Sequence, residues 1–273
     1  MVAISLLNWN GLELTTRCLQ GLIKHHIPAD IFVLDNGSDQ DESVKLKQVF
    51  GDIKHINIER SDINLGFTGG NNHNINKLSN KYDYILLLNQ DTIIDTDFVT
   101  PLVQYLEQHP KTAVTGPVVY NEDSTIQSAG ASISLWTGKV RSHKTLPTQP
   151  TPVDCIVGNC FMMRTQAIKE IGQLTEKYFA YYEEADWCLQ AKQHGWNCVV
   201  VPMAKLTHAK ANNFRTYFIA RNMVWFMKKF ASPLQLSYFF CYYFTIFFLE
   251  RLKKGSHLAD LIRASQAGWL QHL

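Results

Sequence analysis

The sequence predicts an α/β fold with a mixed, mainly parallel sheet flanked by helices, and two observations support this. Short apolar runs, typical of buried strands, alternate with segments of helical spacing through the first half of the chain. Two of these runs, residues 31–34 and 84–88, are followed by the acids Asp35 and Asp91. Because ligands of open α/β sheets bind beyond the carboxyl ends of the strands, both acids are candidate site residues. A plain turn is the structural alternative.

Length and composition indicate one large domain, or a domain with an appendage. The chain has 273 residues, of which 46% are hydrophobic and 18% charged, and its net charge of +2 argues against a nucleic-acid partner. The six cysteines form no C-x-x-C pair, so we expect reduced core thiols in a cytosolic protein. We expect no signal peptide, because the first apolar run is short and lacks a basic leader.

The first half of the chain contains most of the predicted regular elements. Strands are predicted at residues 2–7, 31–34, 54–58 and 84–88, and helices at 12–25, 41–50, 71–79 and 98–109. Between them, residues 64–72 carry three glycines, which let a backbone approach a ligand closely. The glycine spacing does not fit a dinucleotide-binding loop, and a glycine turn is the alternative.

The second half contains a loop and a cluster of acids. Strands are predicted at residues 113–120, 126–135, 155–164 and 197–201, with a mobile loop at 137–152. Glu183, Glu184 and Asp186 stand among aromatic residues, a setting that suits a general base. Alternatively they complement the dipole of a helix over residues 185–194. His208 follows an apolar segment, where a lone histidine is more often structural than a ligand.

Six segments, in this order, resemble the family-2 glycosyltransferases of the GT-A fold, especially their rhamnosyltransferase-like branch. They are Ser5-Leu-Leu-Asn-Trp-Asn10, Asp35-Asn-Gly-Ser38, Asn64-Leu-Gly-Phe67 with Gly70-Asn-Asn72, Leu87-Leu-Asn-Gln-Asp-Thr92, Gly158-Asn-Cys-Phe-Met-Met-Arg164 and Tyr181-Tyr-Glu-Glu-Ala-Asp186. The resemblance implies a GT-A domain over residues 1–210. Its nucleotide-sugar-binding half would be 1–115 and its acceptor and catalytic half 116–210, followed by a helical region at 211–273.

The resemblance also implies a donor site with a divalent cation, Mn²⁺ or Mg²⁺. Asp91 stands at the family's metal-binding D-x-D position, and His208 would complete the metal shell. Asn89 replaces the first Asp of that motif, and Gln90 stands where the branch often has Pro. Because Asn89 offers only a neutral oxygen, we expect a weaker affinity for metal. The nucleotide-sugar contacts are expected from Asn8, Asp35, Asn64, Gly66, Gly70, Asn71 and Asn89.

Members of the family invert configuration in one displacement, and the resemblance places the base at Glu184. The family usually has Asp there, so this base stands one methylene further from its backbone. Glu183 and Asp186 are alternatives, with Asp186 also expected to position the acceptor or cap the helix. Trp187 is expected to support the acceptor site.

The C-terminal third changes in composition. A helix is predicted at residues 215–230, and residues 230–249 then combine many aromatic side chains with no charge, flanked by basic residues. Contact with a membrane surface, a membrane span, and burial in a core or dimer are the three interpretations. Basic flanks favour anionic lipid and hence a peripheral location on the inner face of the cell membrane.

The leading functional hypothesis is an inverting glycosyltransferase that makes a surface polysaccharide. It would use a dTDP-linked or UDP-linked sugar, rhamnose or a hexose, and a saccharide or lipid-linked saccharide acceptor, with a homodimer left open. A sugar-phosphate nucleotidyltransferase is one alternative, although the turn after the first strand lacks that class's Gly-rich basic loop. A degenerate, non-catalytic scaffold is the other, suggested by Asn89 and Glu184.

Overall fold

The structure is a computed structural model that describes residues 1–209, 216–253 and 258–270. The strands are β1 (Val2–Asn8), β2 (Asp30–Asn36), β3 (Ile56–Ser61), β4 (Tyr84–Asn89), β5 (Thr92–Ile93), β6 (Thr112–Tyr120), β7 (Ile126–Ser128), β8 (Ala131–Ile133), β9 (Val140–Ser142), β10 (Thr151–Val153), β11 (Cys160–Arg164) and β12 (Asn197–His208). The helices are α1 (Leu12–Lys24), α2 (Glu42–Phe50), α3 (Gly66–Leu78), α4 (Val99–Gln108), α5 (Thr165–Ile171), α6 (Glu183–Gln193), α7 (Thr216–Phe230), α8 (Pro233–Tyr242), α9 (Phe248–Lys253) and α10 (Leu258–Leu270).

The central sheet is mixed and mainly parallel, as predicted. Its strands lie in the order β10-β12-β6-β11-β4-β1-β2-β3. In addition, β5 pairs with β12 and β7 pairs with β6. Strands β1 to β4 are mutually parallel, whereas β11 runs antiparallel to both of its neighbours, β4 and β6. The register sets Asn8 opposite Asp35 and Leu7 opposite Asn89. The carboxyl ends of β1, β2 and β4 therefore meet at one edge.

Helices cover both faces of this sheet and create two hydrophobic cores. One core joins α1, α2 and α4 to the sheet, and the other joins α3, α5, α6 and α7 to its opposite face. Residues 84–88 of β4 are buried because they lie between both layers. Each fully buried large apolar side chain contributes about 1.5–3 kcal/mol to this arrangement.

The glycine-rich stretch differs from its predicted form. Helix α3 begins at Gly66, so most of residues 64–72 are helical. Gly66 adopts a positive φ of 74°, and a Cβ atom there would lie 2.5 Å from the Phe179 carbonyl oxygen. This glycine therefore permits close packing against another segment of the chain.

Two other predicted elements are corrected. Strand β12 continues beyond residue 201 to His208, because its second half pairs with β5 and β6. The predicted loop at 137–152 contains β9 and the start of β10, so part of it is ordered by pairing with β8 and β12.

The C-terminal helices pack onto the second core. Helix α8 begins with a capping box, in which Ser232 and Gln235 satisfy each other's backbone N–H groups and Pro233 occupies the first turn. A π-helical turn at Tyr243–Phe247 connects α8 to α9. Among the described residues, no helix has the length and apolar character required to cross a membrane. The predicted boundary at residues 210 and 211 lies outside the described residues.

Candidate active site

Asp91 and His208 face each other across paired strands. His208 lies opposite Thr92 in the β5–β12 pair, and the Asp91 carbonyl accepts a hydrogen bond from the Ala209 N–H at 2.9 Å. His208 Nε2 lies 2.9 Å from Asp91 Oδ1, and both side chains are largely buried. These two atoms are not aligned for a hydrogen bond with each other, and neither atom has another hydrogen-bond partner in the structure. The sequence prediction had placed these two residues together.

This pair fits a divalent cation. A carboxylate oxygen and an imidazole nitrogen are both metal ligands, and here both are buried without a hydrogen bond. In the described part of the chain, no group of three or more His, Cys, Asp or Glu side chains could hold a metal. A cation held here would have these two side chains as its ligands from the described residues, and phosphate oxygens and water would supply the rest, as is usual for Mg²⁺.

Gln127 and Asn159 continue the site behind His208. The Gln127 Nε2 atom lies 3.2 Å from His208 Nδ1, and its Oε1 accepts a hydrogen bond from Asn159 Nδ2 at 3.3 Å. The Asn159 carbonyl in turn accepts from the Asn89 N–H at 3.1 Å. Sequence reasoning missed Gln127, because it stands in the three-residue strand β7 with no motif around it.

Glu183 and Glu184 begin helix α6 as a pair of adjacent carboxyl groups. Glu183 is buried, and its Oε2 atom has no hydrogen-bond partner in the structure. Burial raises the pKa of Glu183 well above its usual value, and the charge of Glu184 adds to the effect. Burial also raises the pKa of Glu184, against hydrogen bonds that favour its charged form. Burial and the mutual repulsion of the two charges therefore favour a single proton on this pair of carboxyl groups.

The two parts of the site are joined by continuous contacts. Glu184 Oε1 occupies the space that a side chain on Gly158 would fill. The next residue, Asn159, bonds to Asn89 through its backbone and to Gln127 through its side chain. The predicted base, the D-x-D position and the predicted metal ligands are therefore linked by a continuous series of contacts.

The segment before Glu183 has an unusual backbone that helix α7 holds in place. Phe179, Tyr181 and Tyr182 have positive φ values of 66°, 71° and 78°, a conformation that costs roughly 1–3 kcal/mol for each such residue. Asn222 on α7 is buried, and its Nδ2 donates to the carbonyl oxygens of Tyr178, Ala180 and Tyr181 at 2.8–3.0 Å. The C-terminal helices thus help to position the candidate base.

Asp186 and Trp187 support helix α6 from inside. Both Asp186 oxygens accept from Lys229 Nζ, at 2.8 and 2.9 Å, and Oδ2 also accepts from Tyr178 Oη. Trp187 is fully buried, and its Nε1 donates to the Gly172 carbonyl. The expectation that Asp186 positions an acceptor is corrected, since its carboxylate is buried and occupied. Trp187 supports the site without an exposed surface.

Asp35 lies at the expected sheet edge but is enclosed. Its Oδ1 accepts from Ser38 Oγ at 2.5 Å and Asn8 Nδ2 at 3.2 Å, and its Oδ2 accepts from Arg60 at 2.5 Å. The side chain has no solvent exposure. In this structure Asp35 and Asn8 therefore organise the loops after β1 and β2, and neither presents a free acceptor to a nucleotide.

The other residues predicted to bind the nucleotide sugar contact neighbouring parts of the protein at this edge of the sheet. Asn64 Oδ1 accepts from the Gly66 N–H at 2.8 Å, and Asn71 Oδ1 accepts from Ser5 Oγ at 2.8 Å. A Cβ atom on Gly70 would lie 2.9 Å from Leu7 Cδ1. Of the predicted nucleotide-binding side chains, Asn89 alone combines partial exposure with a place directly beside Asp91.

Gln90 ties the end of β4 to the loop after β1. Its Oε1 accepts from the Trp9 N–H at 2.9 Å and from Thr15 Oγ1 at 3.3 Å. The residue that replaces the expected Pro therefore has a structural partner of its own, and it connects the Asp91 position to the neighbouring loop.

The chain is similar to known proteins over most of its length. A family model described as Glycosyl transferase family 2 matches residues 4–172. The chain is 24% identical to an N-acetylglucosaminyl-diphospho-decaprenol L-rhamnosyltransferase of Mycobacterium tuberculosis, over 68% of each chain. It is 22% identical to the dTDP-rhamnosyl transferase RfbF of Shigella flexneri, over 76% of this chain and 73% of RfbF.

A solved structure shows the same fold. The crystal structure of GalNAc-T7 with UDP, GalNAc and Mn²⁺ superposes with a TM-score of 0.66 at 14% identity, covering 92% of this chain. The chain spans 57% of the length of that protein. This likeness confirms the GT-A architecture.

Proposed function

The chain belongs to glycosyl transferase family 2, and we propose that it is an inverting enzyme that transfers a sugar from a nucleotide-diphosphate donor. The observation that supports this most strongly is the single run of contacts from Glu184 through Asn159 and Gln127 to the Asp91–His208 pair. In a one-step displacement the acceptor is deprotonated while the diphosphate leaves. The base and the group that stabilises the diphosphate must therefore lie close together.

Asp91 and His208 would hold the divalent cation, Mn²⁺ or Mg²⁺. When bound, such a cation supplies positive charge that stabilises the departing diphosphate. Asn89, partly exposed beside Asp91, adds a neutral oxygen or an amide donor for the donor phosphates. The buried network of Asn8 and Asp35 fixes the loops around the nucleotide, acting as support.

Glu184 acts as the base. Its carboxylate accepts the proton of the acceptor hydroxyl while that oxygen attacks the anomeric carbon, and the bond between that carbon and the diphosphate oxygen breaks. Attack opposite the leaving group inverts the configuration, and no sugar–enzyme bond forms. Glu183 stays protonated beside it, because burial opposes a second charge in the same place.

The names of two relatives support the proposed donor and acceptor. RfbF is a dTDP-rhamnosyl transferase, and the mycobacterial relative is named for a rhamnosyl transfer to a decaprenol-linked sugar. We propose a dTDP-linked or UDP-linked rhamnose or hexose as donor. The acceptor would be a saccharide or lipid-linked saccharide used in surface polysaccharide synthesis.

A lipid-linked acceptor agrees with the surface of the C-terminal helices. Several large apolar side chains there are exposed, namely Leu234, Tyr238, Phe240, Phe244, Ile246, Leu249, Leu258, Ile262 and Leu270. Isolated apolar residues are common on surfaces, but a concentration on adjacent helices is typical of an interaction site. We propose that this apolar face contacts the inner face of the cell membrane. Lys228 and Lys229 bond within the protein, to α10 carbonyls and to Asp186, so they do not form the expected free basic flank.

Thermal unfolding with a panel of nucleotide diphosphates tests the proposed activity at its donor site. We expect stabilisation by dTDP or UDP in the presence of Mn²⁺ or Mg²⁺, with little effect of GDP or ADP. A ligand at 100 times its dissociation constant adds about 2.7 kcal/mol to the free energy of unfolding. Asp91→Asn, which keeps the shape and removes the charge, should lose the metal-dependent part. No stabilisation by any nucleotide would contradict the proposal and favour a non-catalytic scaffold.

A further inference from the structure

We propose that Gln127 is a positioning residue that determines which ring nitrogen of His208 carries the proton, and thereby whether His208 can bind the cation. This inference rests on the proposed metal site. It concerns a residue that touches neither donor nor acceptor in the proposed reaction, and it acts only through His208.

Gln127 is held on several sides. Strand β7 pairs with β6 around it, at a point where the pairing register shifts between Val119 and Tyr120. Its side-chain amide lies between His208 and Asn159, at 3.2 and 3.3 Å, and its backbone carbonyl accepts from Lys144 Nζ. An amide fixed at both ends has only two useful settings, which differ by exchange of its oxygen and nitrogen.

The first setting suits a site without a cation. Gln127 Nε2 is a donor, so His208 Nδ1 must be an acceptor, and the ring proton of the neutral imidazole must then be on Nε2. That nitrogen then carries an N–H group 2.9 Å from Asp91 Oδ1, without the alignment of a hydrogen bond. In this setting Nε2 has no lone pair to offer a metal.

The second setting suits a bound cation. Rotation of the Gln127 amide by half a turn places Oε1 against His208 Nδ1, which then keeps the ring proton. The Nε2 lone pair is thereby free, and a cation bound by it would also be in reach of Asp91 Oδ1, 2.9 Å from Nε2. Asn159 can make the matching change, because its own amide can present oxygen to Gln127 Nε2. Partners of this kind fix the orientation and basicity of metal-binding histidines.

The test is the affinity for Mn²⁺ alone, measured by electron paramagnetic resonance on the whole chain. Gln127→Glu presents only acceptor oxygens, so we expect Mn²⁺ affinity equal to or above that of the wild type. Gln127→Leu leaves Nδ1 without a partner and should weaken the affinity by roughly 10- to 100-fold. Gln173→Leu is the matched control, since Gln173 bonds to Asn76 at an exposed position, and it should change nothing.

A second measurement keeps the proposal testable if Gln127→Leu does not fold. Nitrogen-15 NMR of labelled histidine, with His208 identified by its loss in His208→Gln, reports the position of the ring proton. We expect the proton on Nε2 in the metal-free wild type and on Nδ1 in Gln127→Glu.

The outcomes separate this inference from the metal site itself. Equal Mn²⁺ affinity in the wild type and both Gln127 variants, or a His208 proton that does not move in Gln127→Glu, would overturn the role of Gln127 alone. Failure of the folded wild type to bind Mn²⁺ would overturn the metal site and this inference with it.

Discussion

Glu184 reaches into the space that the absent side chain of Gly158 leaves open. The Gly158 backbone also hydrogen-bonds to the Glu184 carboxyl, which favours its charged form against the effect of burial. Any Cβ atom at position 158 would overlap Glu184 Oε1. The glycine is needed here for close approach, and it fixes where the candidate base stands relative to the Asn159 contacts.

Gly158→Ala should therefore lower turnover by displacing Glu184. A misplacement of about 1 Å can cost a factor of roughly 100 in rate, so we expect a loss of about 10- to 100-fold in kcat. Gly195→Ala is a matched control, because Gly195 has a positive φ of 78° and no neighbour within 4 Å of an added Cβ. It should lower the thermal stability and leave turnover unchanged. Full turnover in Gly158→Ala would show that the close approach is unimportant.

Glu183→Gln should distinguish the roles of the two carboxyl groups. The amide imitates a protonated carboxyl, so turnover near pH 7 should stay within a few-fold of the wild type. Turnover reduced as strongly as in a Glu184 variant would contradict this assignment of the proton.

The same variant predicts a dependence of stability on pH. In the wild type the pKa of Glu183 is raised above its usual 4.5, so the folded state holds a proton that the unfolded chain releases. The contribution of the protonated Glu183 to the free energy of unfolding is fully present below about pH 4.5. It is lost as the pH rises through the pKa that Glu183 has in the folded state, by at most about 1.4 kcal/mol per pH unit. Urea unfolding from pH 4.5 to 8 should show Glu183→Gln gaining stability over the wild type with pH. A constant difference would contradict this.

Asn222→Ala should release the strained segment before Glu183. Removing the hydrogen bonds to three carbonyl oxygens of this segment leaves Phe179, Tyr181 and Tyr182 free to leave their positive φ values. We expect a loss of about 1–3 kcal/mol in the free energy of unfolding and at least a tenfold loss in kcat, with nucleotide binding retained. Ser265→Ala, on the same side of the fold but bonded to Tyr243 and Leu261, should lower stability without this loss of kcat.

Flotation with liposomes that contain anionic lipid tests the apolar face. The wild type should float, and the double variant Phe240→Ser with Phe244→Ser should float much less, because both side chains are exposed on that face. Val44→Ser with Val49→Ser, on the distant helix α2, is the control and should behave as the wild type. If the wild type does not float but is a dimer that the double variant disrupts, the face is a dimer interface.

The sequence predicted the sheet from local signals and the Asp91–His208 pair from the family resemblance. Apolar runs ending in polar residues indicated β1, β2 and β4, and the family resemblance then supplied roles for Asp91, His208 and Glu184. The limits of α3 and β12 were not predictable in this way. Gly66 is explained by Phe179, more than 100 residues away, and the end of β12 is set by its pairing with β5.

The partners of the predicted residues were also beyond the sequence. Asp35, Asn71 and Asp186 are polar residues in the expected places, yet each is enclosed by bonds to distant parts of the chain. Whether a polar side chain faces a ligand or a neighbour is decided by tertiary packing. Gln127 and Asn222 are important in the structure for the same reason, and no pattern around them predicted it.

The turnover of Glu184→Gln tests the proposed mechanism most directly. Glutamine keeps the shape of the side chain and cannot accept the proton, and a positioned base contributes about 10²- to 10⁴-fold to rate. We predict a loss of that size in kcat, with the same metal-dependent stabilisation by dTDP or UDP as the wild type and partial activity in Glu184→Asp. Turnover of Glu184→Gln within a few-fold of the wild type would contradict the assignment of Glu184 as the base.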